Sequence, residues 1–286
     1  MSFDYHDPGS VAEALDLLAR HGDDAHLVAG GTAFMLLWRQ GLLRPGHVVG
    51  LRGVRELSGI TRTKDGALVI GATVTHREAE RSSDVAAFCP ALARTFASVA
   101  TVRIRNQATV GGNLAHADPA QDPPAMLLAL GAEVLVVSTA GERAVPLSEL
   151  FVDYLTTSLA HGDVVRAVRV PALADGTRAT YVKFLPRTAD DYATVSVAAV
   201  LRLAADGTIA DVRVALGAAG PTPIRARSVE DALRGARPDA GRIAEAAALA
   251  RDDVDPLDDV RGSTTYKREM ARVWIQRALT TLTEAA

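Results

Sequence analysis

A single cysteine, Cys89, is all that this 286-residue chain contains. No disulfide can close within it, and no four-thiolate iron–sulfur or zinc site can be built from it. An excess of charge of either sign is also lacking. The 31 Lys and Arg residues stand against 34 Asp and Glu, for a formal net charge of -3, and the arginines are scattered. That balance excludes nucleic acid or an anionic membrane as the main partner. The longest apolar tract, Ala125 to Val137, is short and broken by Glu133, so no membrane span is expected. The opening MSFDYHDP lacks the basic start and apolar stretch of a signal peptide, and a cytoplasmic location is expected. Also missing are low-complexity linkers, solenoid repeats, the spaced-glycine dinucleotide fingerprint and the Walker phosphate loop.

What is present is a hydrophobic fraction of 48%, enough for a substantial core in one large domain or two compact ones. The chain is organised around Thr109 to Pro124, TVGGNLAHADPAQDPP. Two glycines stand there between a hydroxyl and an amide. Glycine has no Cβ and visits positive φ freely, so a bound group can approach its N–H donors. Successive N–H groups lining one concavity make an anion-binding nest. Asp122 before Pro123 reads as an N-cap followed by proline in the first helical turn. A smaller copy, Val28-Ala29-Gly30-Gly31-Thr32, follows a strand and opens the apolar run Phe34 to Trp38. With 23 glycines, about two Gly-Gly pairs arise from composition alone. The adjoining threonines and the junction positions are what single these pairs out.

In chain order, Ser10 caps a helix to about Arg20, AHLVA and HVVGL are strands, and a helix runs from Thr32 to about Gln40, a β–α–β arrangement. From about Arg55 an α+β pattern follows. It has a hairpin turning at Asp65-Gly66, helices over Val74–Arg81 and Ala86 to about Ala100, a helix from Pro123, and strands EVLVVS and DVVRAVRVP. Its glycine turn should face the first one across a cleft. Pro171 to Arg178 marks a boundary. Beyond it TYVKFLP and a hairpin turning at a second Asp-Gly form a small antiparallel sheet, with helices from about Ser228, Asp239 and Thr264. Cys89 reads as buried filler and Phe34–Trp38 as core. His116 has no nucleophile or acid partner at motif spacing, so it is expected to shape its loop rather than catalyse.

The combination GGN-L-A-H-A-D-P-A-x-D-x-P with upstream VAGGT resembles the FAD-binding medium subunit of molybdenum hydroxylases, the xanthine dehydrogenase and aerobic carbon monoxide dehydrogenase type. The likeness runs nearly end to end. It takes in FDYHDPGSVAEALDLL at the start, KFLPRTADDYATV in the second domain and RGSTTYKREMARVWIQRAL at the end. It implies an α+β chain. Residues 1–176 would be a two-subdomain (PCMH-type) FAD-binding domain, divided near 54 and 55. Residues 177–286 would be an antiparallel-sheet-plus-helices domain of the CO dehydrogenase flavoprotein type. FAD would be held non-covalently. By motif match, Leu27, Val28, Ala29, Gly30, Gly31, Thr32, Ala33 and Phe34 form the first loop, ending at Met35. Thr109, Val110, Gly111, Gly112 and Asn113 form the second, and Ala115, His116 and Asp122 continue the wall. Ala100, Ile104 and Ala108 fall at flavin and linker contacts, Leu159 near the ring, and Lys183 and Asp190 at second-domain contacts. In that setting a Cβ at Gly111 should clash with the diphosphate. Two departures are Ala33, where relatives commonly carry a polar residue, and Val99, where some carry an aromatic.

The implied function is electron transfer. The molybdenum cofactor and [2Fe-2S] clusters belong to large and small partner subunits, in a heterotrimer that usually pairs. FAD passes electrons on to an external acceptor. With one cysteine, neither cluster can reside in this chain. Lys183, one of three lysines, reads either as a snorkelling surface residue or as a cation near the flavin that favours its reduced form. A self-sufficient FAD oxidase or reductase of the same cofactor-binding fold is the alternative, and a flavin-free adaptor is a third reading.

Overall fold

The computed structural model describes residues 2–284 except 187 and 189. Strand β1 (Asp4–His6) leads to α1 (Val11–His21), β2 (Ala25–Val28), α2 (Thr32–Arg39) and β3 (His47–Gly50). The three strands form a parallel sheet in the order β1-β3-β2. Ser10 caps α1 as expected, its hydroxyl accepting from the Glu13 N–H, and Ala14 and Leu18 of α1 pack on Val49 and Leu51. Strand β1 was not anticipated from its three residues. In the run Phe34–Trp38 only Phe34 is buried, and Leu36 is exposed. The expectation of an all-core run therefore fails after its first residue.

The second unit carries β4 (Ile60–Arg62), β5 (Leu68–Gly71), α3 (His76–Arg81), α4 (Ser83–Phe88), α5 (Pro90–Ala97), α6 (Val102–Arg105), α7 (Val110–His116) and α8 (Asp122–Ala129). It continues with β6 (Glu133–Ser138), β7 (Gly141–Pro146), α9 (Leu147–Leu150), β8 (Phe151–Asp153), β9 (Thr156–Thr157) and β10 (Val164–Val170). An antiparallel sheet β4-β5-β10-β6-β7 is covered by α5 and α8, and Leu92, Phe96 and Met126 share its core. Gly66, at φ 82, turns the first hairpin. The helix expected from Val74 starts at His76, because Thr75 and Glu78 form a reciprocal capping box. The single helix expected over 86–100 is two. Cys89 is extended (φ −156, ψ 102) ahead of Pro90, as the proline ring requires of the residue before it. Cys89 itself is buried.

Residues 171–177 lead into the antiparallel sheet β11 (Arg178–Phe184), β12 (Val195–Leu203), β13 (Ile209–Gly217) and β14 (Ile224–Arg225). Helices α10 (Arg227–Leu233), α11 (Ala240–Ala248), α12 (Ala250–Asp253) and α13 (Thr264–Glu284) follow. Successive β12 side chains point to opposite faces. Val195, Val197, Ala199 and Leu201 join the core under α10, α11 and α13, while Ala198 and Val200 join the core of the second unit. Helix α8 lies against β12 and β13 on that second face. Every residue of α8 is therefore buried, and its first residue sits where the second and third sheets meet.

Candidate functional site

A cleft of about 450 Å³ opens between the first unit and the second, lined by residues 25–34 on one side and by Ala108, Thr109, Gly112, Asn113, Ala115 and His116 on the other. The glycine corners face each other as expected. Their approach is close: a Cβ on Gly30 would lie 1.9 Å from the Gln107 carbonyl oxygen. Gly31 adopts φ 72 and is the N-cap of α2, with no side chain capping the helix. The first N–H groups of α2 are left for a ligand, and such a terminus favours an anion.

The second corner is not the nest expected of it. Thr109 is extended and caps α7, its Oγ1 accepting from Gly112 N–H at 3.1 Å, so Gly111 and Gly112 lie in the first helical turn. Gly112 lines the cleft. Gly111 does not: it is buried, and a Cβ there would come within 2.5 Å of the Ala72 Cβ and 2.9 Å of its backbone oxygen. The expected clash with a diphosphate is thus replaced by one with the end of β5. Gly111→Ala should accordingly lower stability by about 1–3 kcal/mol through overpacking. Denaturant unfolding of the flavin-free protein checks this, since a purely cofactor-facing role would leave it unchanged.

Two amide oxygens in the cleft wall, Asn113 Oδ1 and Gln121 Oε1, are buried without a hydrogen-bond partner. Both are acceptors, and ribityl and ribose hydroxyls carry the complementary donors. The residues present therefore fit FAD. His26, stacked on Phe34 at 5.5 Å, and His116 also line the cleft. Burial lowers both imidazole pKa values, in His116 against the opposing pull of Asp118. The loop Ala160 to Asp163 completes the wall and was not anticipated. Asp163 accepts two bonds from Arg143, at 2.8 and 2.5 Å, and one from the Ala160 N–H. The Arg143 hydrogen bond holds its carboxyl below the usual range. No local pattern marks that pair, because it joins residues 20 apart.

A second cluster lies at the start of α8. Asp122 was expected to be an N-cap, but it is the first helical residue and Gln121 holds the cap position without a side-chain bond. Its carboxylate instead accepts from Tyr181 Oη at 2.6 Å and from Lys183 Nζ at 3.0 Å. Lys183 also donates to the Ser98 carbonyl at 2.9 Å. Burial raises the Asp122 pKa against the counter-pull of Lys183 and Tyr181, and burial raises Tyr181 well above its usual value. Lys183 is therefore not a snorkelling surface lysine, its side chain being only 9% exposed.

Beside it Ala100, at φ 37, makes a strained corner. The Arg105 guanidinium donates to the Val99 and Ala100 carbonyls at 2.9 and 2.8 Å and pairs with Glu80 at 2.7 Å. Of the other motif residues, Val110 is fully buried, Ile104 is 39% exposed, Leu159 packs on the second core and Asp190 is exposed. None of these borders the cleft.

Family comparison accounts for the arrangement. Residues 1–173 match the FAD binding domain in molybdopterin dehydrogenase, and residues 180–282 match the CO dehydrogenase flavoprotein C-terminal domain. The chain is 36% identical to the 6-hydroxypseudooxynicotine dehydrogenase complex subunit alpha of Paenarthrobacter nicotinovorans, covering 97% of this chain and 93% of that one. It is 35% identical to the carbon monoxide dehydrogenase medium chain of Hydrogenophaga pseudoflava, covering 97% and 96%. A solved carbon monoxide dehydrogenase from the same organism, lacking the Mo-pyranopterin moiety of its cofactor, superposes with a TM-score of 0.94 at 36% identity over 98% of this chain and 96% of that one. With both halves matched in order and nearly full mutual coverage, the chain belongs to the family of FAD-binding medium subunits of molybdenum hydroxylases.

Proposed function

We propose that the cleft between the two glycine corners holds the diphosphate and adenosine part of a non-covalent FAD, and that the Ser98–Ala100 and Asp122–Lys183 corner bounds its flavin end. The observation that carries this reading is the meeting of an uncapped α2 terminus with the unpartnered oxygens of Asn113 and Gln121 in one cavity. The N–H groups of α2 would hold the phosphates, and the two amide oxygens would accept from sugar hydroxyls. Ala33 brings no polar side chain, so the backbone carries that turn. Residues 1–176 form the FAD-binding domain, and 177–286 supply Tyr181 and Lys183 from outside it.

When bound, FAD supplies the exchange between one-electron donors and a two-electron acceptor. The donors belong to a small iron–sulfur subunit, fed by a large molybdenum-binding subunit, in a cytoplasmic heterotrimer that pairs. With a single buried thiol, this chain leaves both clusters to its partners. Co-expression with the genes beside it should give a complex with one FAD per copy of this chain and with iron and molybdenum. The isolated chain should be yellow and inactive toward the complex's substrate. Substrate turnover by the isolated yellow chain would instead establish a self-sufficient oxidase or reductase.

A further inference from the structure

Three histidines meet on the first sheet, outside the residues that line the flavin cleft. His6 ends β1, His21 ends α1 and His47 begins β3. All three are half-buried. His6 Nε2 lies 3.1 Å from His47 Nδ1, and the His21 and His47 rings stack at 3.7 Å between centroids. One ring nitrogen from each comes within 4.8 Å of the others. Three nitrogens around a tetrahedral zinc ion stand about 3.3 Å apart, so the closest pair is already at that spacing and the rest need to close by about 1.5 Å at most. An Asp4 carboxylate oxygen lies 3.9 Å from His47 Nδ1, within reach of a fourth coordination position.

We propose that His6, His21 and His47 bind one divalent transition-metal ion of the zinc class, with Asp4 or water as the fourth ligand. Neutral imidazole suits zinc, copper and nickel and is a poor ligand for magnesium or calcium. The three ligands come from three separate elements, so the ion joins the amino-terminal strand and the end of α1 to the central strand. It acts as a clip on the fold. Leu18 of α1 and Ala25 of β2 line the cleft, so the clip fastens the frame that carries the first glycine corner.

The test uses tag-free, FAD-loaded protein and compares wild type with His21→Asn and His47→Asn. FAD content serves as the check that each variant is folded. Zinc competition against a chromophoric chelator should show one equivalent per wild-type chain, and each variant should bind at least about tenfold more weakly, as loss of metal-site contacts commonly does. Zinc should raise the melting temperature of the wild type and leave both variants unmoved. Equal binding by wild type and both variants would mean an adventitious surface ion and would overturn the proposal. Half an equivalent per chain would place the ion between two copies and overturn the intramolecular clip.

Discussion

Gly30→Ala is expected to purify with FAD bound at least tenfold more weakly than in the wild type, and with a lowered melting temperature. The added Cβ would lie 1.9 Å from the Gln107 oxygen, 2.7 Å from its carbonyl carbon and 2.9 Å from the Ala108 Cα. All three are backbone atoms, so no side chain can swing aside. The two corners must part, at a cost of about 1–3 kcal/mol or more, and tenfold in binding is only about 1.4 kcal/mol.

Gly31→Ala is the control that separates space from conformation. Its Cβ would stand 3.4 Å from Val28 Cγ1, an ordinary contact, and the penalty comes from φ 72 alone, about 1–2 kcal/mol. Flavin released by denaturation and measured per chain, together with a melting curve, reads both variants. Full occupancy in Gly30→Ala would mean that corner spacing does not set the affinity.

The contrast also shows what the sequence could and could not reveal. Signals that act within a few residues were legible. Ser10 and Asp239 cap α1 and α11 through side-chain oxygens, and Gly66 and Gly207 turn their hairpins at positive φ. The break at Cys89-Pro90 follows the same local logic, since the residue before a proline is driven out of the helical region. Gly111 and Gly112 went astray for a different reason. Adjacent glycines are poor helix formers, yet here they begin α7, because Gly111 packs directly on Ala72 and no larger residue fits. Tertiary contact overrides propensity there, and single-chain patterning carries no trace of it.

The cleft wall divides along the same line. Fourteen of the residues marked by motif line it, since a motif is a contiguous stretch and the fold sets both stretches face to face. Gln121 lay inside the quoted motif, but its role emerges only from an unpartnered oxygen in a buried wall. The partners of Asp122 are 59 and 61 residues away on β11. An Asp before Pro looks like a cap from its neighbours alone. The carboxylate is instead claimed by the third sheet, and that leads to a sharper expectation.

Lys183→Met should destabilise the protein by about 3–5 kcal/mol, the usual effect of removing one partner from a buried ion pair. The Lys183 and Asp122 side chains are 9% and 6% exposed. Methionine fills the volume of the alkyl stem but leaves the Asp122 carboxylate with Tyr181 alone and the Ser98 carbonyl without its donor. Burial already raises the Asp122 pKa, and Lys183 is the largest opposing influence; without it the carboxyl shifts further toward the protonated form. Asp122→Asn keeps an acceptor for only one of Tyr181 and Lys183, which bond different carboxylate oxygens, and leaves the Lys183 ammonium uncompensated, so it should cost a similar amount. The double variant should recover a large part of the loss, because no uncompensated charge remains.

Urea unfolding of the four proteins, with FAD removed so that ligand binding does not enter, gives the coupling energy directly. A Lys183→Met effect below about 1 kcal/mol, the ordinary range for an exposed pair, would show that water reaches the pair. The join between α8 and the third sheet would then rest on the apolar packing of Ala198 and Val200 of β12 and Ala215 of β13. Additive single effects would lead to the same conclusion. A coupling of several kcal/mol would make this ion pair the polar fastening between the cofactor-binding region and the carboxy-terminal sheet.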